Sequence, residues 1–284
     1  MASLQMFIFA LLLVYSQSVP TQFSKPGCPE KCGNLTIPYP FGIGKECYFD
    51  DEFEISCNSS THVASLPALG GLNIQKISQE NIVVDAFNLP FLFNKTTGEN
   101  LDGPLLGEID RSHYNYSNTQ NKLVSFGCDT FAYIQDYSSR QIVSECATFC
   151  NDGNNSSFSD LGHCEADLIS HPGKQFRAWM HTMNTPKKLW KGRDCNFLFI
   201  VEKDFSVYEK IDFTNCEKVY VFPLALDWAI SNTTCSDGNV ICGENAECID
   251  HNGERGYSCE CKQGYTGNPY LPSGCKDTQG KIKA

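Results

Sequence analysis

The sequence predicts a mainly β, disulfide-rich, multi-module extracellular protein that ends in a small cysteine-framed module. Three observations predict it. The chain holds 16 cysteines in 284 residues, and that density persists as disulfides only in an oxidising compartment. Met6 to Val14, MFIFALLLV, is too short to span a bilayer and suits the apolar core of a signal peptide over 1–18, although no Lys or Arg precedes it. The remainder alternates short apolar runs with polar turns and sustains no helical period.

The first element is Cys28 to Cys57, CPEKCGNLTIPYPFGIGKECYFDDEFEISC. Glu52 to Cys57 alternates, which predicts a strand with Phe53, Ile55 and Cys57 inward. Pro38 and Pro40 fix φ and remove two donors, so Ile37 to Phe41 is expected to run extended, with Tyr39 and Phe41 as rigid aromatics. Those two rings suit either core packing or a ligand-facing platform. Further on, Asn81 to Phe87, Pro90 to Phe93 and Lys122 to Phe126 are strand candidates, punctuated by Gly70-Gly71 and Asp102-Gly103-Pro104. These bound a first unit at 28–128.

A second region covers 129–230. Cys146, Cys150 and Cys164 cluster in it. Asn196 to Val201, NFLFIV, reads as a strand buried on both faces. Lys218 to Phe222 is a further strand candidate. Val219 to Ile230 holds Pro223 and Asp227, so it reads as a buried strand and turn, not a membrane span.

The last module, 235–275, has the spacing C-x6-C-x5-C-x10-C-x-C-x13-C. It is too small to bury a core of its own, so cystines substitute for one. A tail follows at 276–284.

Composition excludes some functions. The net charge is −11, so the chain lacks the basic footprint that nucleic acid requires. There is no Gly-x-Ser-x-Gly elbow, phosphate loop or His-Glu-x-x-His pair, and the six histidines are scattered. The reading is therefore not an enzyme, with no catalytic residue, cofactor or resident metal assigned. Asn-x-Ser/Thr occurs at Asn34, Asn58, Asn94, Asn115, Asn154, Asn155 and Asn232, each a glycan acceptor in a secreted chain.

One stretch opposes the acidic balance. Between His171 and Arg193 stand Lys174, Arg177, Lys187, Lys188, Lys191 and Arg193, with no Asp or Glu and with Trp179, His181 and Trp190 interleaved. It reads either as a solvated loop or as a polyanion groove, with cations for carboxylates and ring faces for sugars.

Cys28, Cys32-Gly33-Asn34, IPYPFGIG over 37–44, Cys47 and Cys57 together resemble the galacturonan-binding domain that opens the extracellular region of plant wall-associated receptor kinases. Residues 129–230 resemble, more loosely, the region that follows it there. Residues 235–275 resemble an epidermal-growth-factor-like (EGF-like) module. That resemblance implies the pairs Cys235–Cys248, Cys242–Cys259 and Cys261–Cys275. It also implies an extracellular, cell-wall location and a pectic ligand, polygalacturonate. The alternative reading is a protein partner captured by the EGF-like module. The receptors continue into a membrane span and a kinase, so the chain is read as a secreted form or ectodomain. Residues 28–128 carry six Lys/Arg against twelve Asp/Glu, so charge attraction by that region alone does not explain binding of a polyanion. Either calcium bridges acids such as Asp50, Asp51 and Glu52 to the ligand, or the basic stretch folds against the first unit. The second route is favoured.

Overall fold

The computed structural model describes residues 23–88, 91–92, 105–109, 111, 113–149, 162–170, 173–183, 195–213, 215–230, 233–251 and 256–278. The fold is mainly β, and helix among these residues is confined to short 3-10 turns. None of their helices is long and apolar enough to cross a membrane.

The strands, in chain order, are β1 (Lys31–Cys32), β2 (Leu35–Thr36), β3 (Ser56–Cys57), β4 (Ala64–Leu66), β5 (Leu72–Ile77), β6 (Asn81–Asn88), β7 (Phe91–Leu92), β8 (Leu105–Glu108), β9 (Tyr114–Tyr116) and β10 (Asn121–Phe126). They continue as β11 (Thr130–Asp136), β12 (Ile142–Thr148), β13 (His163–Asp167), β14 (Gln175–Thr182), β15 (Cys195–Glu202), β16 (Tyr220–Trp228), β17 (Ala246–Asp250), β18 (Tyr257–Cys261), β19 (Tyr265–Gly267) and β20 (Cys275–Asp277).

Three larger sheets organise them: β3-β4-β5-β6-β16-β9, β13-β10-β15-β7 and β12-β11-β14-β8. The expected division at 128/129 does not separate these sheets. β16 pairs with β6 and β9, and β10 lies between β13 and β15. The two regions interleave because the apolar strand β15 needs cover on both faces. Phe197, Phe199 and Val201 enter one core, with Val124, Phe126, Tyr220 and Phe222. Leu198 and Ile200 enter the other, which reaches from Ile37 and Phe41 to Tyr257 and Tyr270 of the last module.

A buried amide and a disulfide join the sheets. Pro223 interrupts the donor row of β16 where β9 does not reach it, a position that tolerates proline. Beyond it, the buried Asn121 acts as a surrogate strand. Its Nδ2 donates to the Ala225 carbonyl at 2.7 Å and its Oδ1 accepts the Ala225 N–H at 2.9 Å. Cys146 on β12 and Cys164 on β13 form a disulfide between edge strands of different sheets.

Residues 51–57 differ from expectation. Asp51–Phe53 is a 3-10 turn, because Asp50 caps it by accepting the Glu52 N–H at 3.0 Å; only Ser56–Cys57 is strand. Phe53 and Ile55 are nevertheless buried and Cys57 is half-buried.

Candidate functional site

Ile37 to Phe41 presents its two aromatics to different places. The Tyr39–Pro40 peptide is cis. Phe41 is 1% exposed and packs edge-on against Phe53 at 5.1 Å and Trp228 at 5.2 Å. It is core, and the expectation of a ligand-facing ring at this position is corrected: it has no free face. Tyr39 is half-buried and lines a cleft of about 420 Å³ together with Phe23, Pro38, Ile77, Gln79 and Trp228. Burial raises its phenol pKa, with smaller contributions from Tyr257 and Asp50. The Lys25 ammonium sits 5.8 Å from the Tyr39 ring centroid and donates to the Glu46 carbonyl at 2.7 Å.

The last module closes one side of this cleft. Its disulfides are Cys235–Cys248, Cys242–Cys259 and Cys261–Cys275. Cys28–Cys47 and Cys32–Cys57 staple the segment that carries Tyr39. Asn268, 3% exposed, donates to the carbonyls of Tyr39 at 2.7 Å and Phe23 at 2.6 Å. Tyr270 packs on Trp228 at 5.4 Å, and Tyr257 bridges to Ile230 through two backbone bonds of 2.9 Å. The module is thus docked on the rest of the chain, and Tyr257 and Tyr270 are buried there. Within the module, Asp250 accepts the Cys235 N–H at 2.7 Å.

Two of the three acids named for a calcium bridge, Asp50 and Glu52, are engaged, and Asp51 is exposed. Asp50 faces His113 Nε2 at 2.8 Å, and Glu52 accepts the His113 N–H at 3.2 Å. Among the described residues no group of three or more His, Cys, Asp or Glu is placed to hold a metal ion.

The basic stretch is partly visible. Lys174 does not face a ligand: its ammonium donates to the carbonyls of Arg111 at 2.5 Å and Tyr114 at 3.0 Å. Arg177 lies on β14, half-buried, with its guanidinium 4.5 Å from the Tyr137 ring centroid. Lys187, Lys188, Lys191 and Arg193 lie outside the described residues, as do Asn94, Asn154, Asn155 and Asn232. Asn34 is exposed in the β1–β2 turn and Asn58 is exposed, whereas Asn115 is half-buried on β9.

A β-rich, cystine-framed chain with a docked C-terminal module belongs to the class of extracellular ectodomains, because bridges at this density form in oxidising compartments. Residues 28–86 match the family described as wall-associated receptor kinase galacturonan-binding, and residues 235–269 match the EGF domain. The chain is related to the wall-associated receptor kinases along nearly its whole length. It is 29% identical to Wall-associated receptor kinase 3 of Arabidopsis thaliana, covering 95% of this chain and 38% of that one. It is 31% identical to Wall-associated receptor kinase 1 of the same plant, covering 94% and 37% respectively. The chain therefore spans less than two fifths of the length of these two relatives. No solved structure matches it.

Proposed function

We propose that this chain is a non-catalytic ectodomain that binds de-esterified galacturonan in the plant cell wall. The observation that supports it is the match of residues 28–86 to a galacturonan-binding family. The cleft beside Tyr39 is the contact we assign to that domain. An aromatic face offers apolar cover to the C–H side of a sugar ring, and Lys25 supplies a nearby cation for a uronate carboxylate. Calcium remains a separate route, in which the metal would be part of the ligand rather than held by a preformed cage.

Calorimetric titration with de-esterified oligogalacturonides, with and without a chelator, tests the reading; methyl-esterified fragments are the control. Binding to the de-esterified form is expected, weakening as salt rises because exposed charges are screened. Tyr39→Ala is expected to weaken it about tenfold, the worth of losing one buried aromatic contact. Loss of binding on chelation would assign the calcium-bridged route. Absence of binding by the wild-type chain in every condition would overturn the reading and favour a protein partner of the EGF domain.

A further inference from the structure

Residues 136–140 form the turn that follows β11, closed by the Arg140 N–H donating to the Asp136 carbonyl at 3.1 Å. Arg140 has a positive φ of 63°, which sets its side chain over the same ring that Arg177 approaches from β14. The two guanidinium carbons stand 5.5 and 4.5 Å from the Tyr137 ring centroid. Tyr137 is 38% exposed and Arg140 is exposed. Neither arginine forms an ion pair among the described residues. Asp136, the acid nearest in sequence, instead accepts the Ser139 N–H at 2.6 Å.

The same sheet face continues into an aromatic row. Tyr133 pairs in register with Trp179, and Gln135 with Arg177. Tyr133, Trp179 and His181 lie about 6 Å apart with ring planes within 21° of parallel. The alternate residues Ala132, Ile134, Ala178 and Met180 are buried on the other face, so alternation turns this row outward. Two donors on these two strand residues, Arg177 Nε and Trp179 Nε1, are buried without an acceptor among the described residues.

We propose that Arg140 and Arg177, held on Tyr137, form a second carboxylate-binding subsite for an acidic polysaccharide, outside residues 28–86, with the Tyr133–Trp179–His181 row beside it receiving the sugar rings. This rests on the reading of the chain as a galacturonan binder. The chemistry fits that ligand class. Stacking on one ring removes much of the rotamer freedom of both guanidinium groups, and each keeps N–H donors for a planar carboxylate. A neutral glycan would use the rings but not the arginines.

The test is the affinity of the whole chain for long de-esterified oligogalacturonides in the Arg140→Asn/Arg177→Gln variant. Asn tolerates the left-handed backbone at 140, so the turn is retained. Arg140→Asn alone, at an exposed turn, guards against a folding defect at Arg177. The double variant should bind about tenfold more weakly, from the loss of charge-assisted hydrogen bonds, with a shallower salt dependence. Arg140→Asn alone should show a smaller loss in the same direction, and affinity for fully methyl-esterified chains should not change. Wild-type affinity and salt dependence in both variants would overturn this subsite while leaving the proposed function intact. A failure of wild-type chain to bind would remove both.

Discussion

Asn268 of the EGF domain donates to the backbone carbonyl of Tyr39 at 2.7 Å, across 229 residues of sequence. The second hydrogen of the same amide goes to Phe23, and its oxygen accepts the Tyr270 N–H at 3.0 Å. This side chain is therefore satisfied three times, and the orientation of the amide is set by its partners. It fixes the residue beside the cleft to a module that follows much later in the chain.

Asn268→Ala should cost about 1–3 kcal/mol, since it takes the donor from the Tyr39 carbonyl in a buried junction, while the Phe23 carbonyl keeps the Tyr39 N–H at 2.9 Å. Asn268→Asp should cost more, because a carboxylate would then face those carbonyls. Urea unfolding of the oxidised proteins reads both. An Asp variant as stable as wild type at neutral pH would show that the amide is not the donor at this junction.

Tyr39 and Phe41 are two residues apart and should respond differently. Phe41→Ala opens a cavity among Phe53 and Trp228 and should lose about 3–5 kcal/mol of stability. Tyr39→Ala removes a half-buried ring from the wall of a cleft and should change oligogalacturonide affinity with a much smaller stability loss. Parallel melting curves and titrations separate them. Equal destabilisation by both would make Tyr39 a core residue as well.

The Cys146–Cys164 bridge closes a separation of 18 residues between edge strands of two sheets. Replacing both cysteines with serine should lower stability by about 2–4 kcal/mol, chiefly by freeing the unfolded chain. The three EGF-domain bridges should stay intact in a non-reducing peptide map, because that module carries its own frame. Scrambling of Cys235, Cys242 or Cys248 in this variant would contradict that independence.

Much of this was legible from local pattern. The apolar run of β15 is divided between two cores, as its lack of alternation indicated. Phe53 and Ile55 point inward as the alternation predicted, but a capped 3-10 turn serves there as well as a strand. What the sequence does not display is contact between distant residues. Asn268, Asn121 and the Arg140–Tyr137–Arg177 cluster have no periodic signature, since each works through partners remote in sequence or through an unusual φ. Lys174 shows the converse. Its charge marked it as a ligand cation, yet its reach lets it cap backbone carbonyls of Arg111 and Tyr114 instead.

The His113–Asp50 pair makes stability depend on pH. His113 is 5% exposed, with Nδ1 2.9 Å from the Ala229 carbonyl and Nε2 2.8 Å from Asp50. Both neighbours are acceptors, so only the doubly protonated ring satisfies both. Burial alone would lower the His113 pKa, but the hydrogen bond and charge of Asp50, aided by Ala229, raise it overall. For Asp50, burial works upward, while His113 and the N–H groups of Glu52 and Phe53 bring the pKa down overall. A raised histidine stabilises the fold fully below its unfolded value of about 6.5, and that contribution fades as pH rises through the folded value. A lowered aspartate stabilises above its unfolded value of about 3.9, and that contribution fades as pH falls through the folded value. The pair therefore contributes most between about pH 4 and 6.5. Melting temperatures across this range should show the wild-type chain losing stability above it, and His113→Gln should flatten that limb because glutamine does not titrate. Parallel slopes in the two proteins above about pH 6.5 would show that His113 does not enter the fold as a cation.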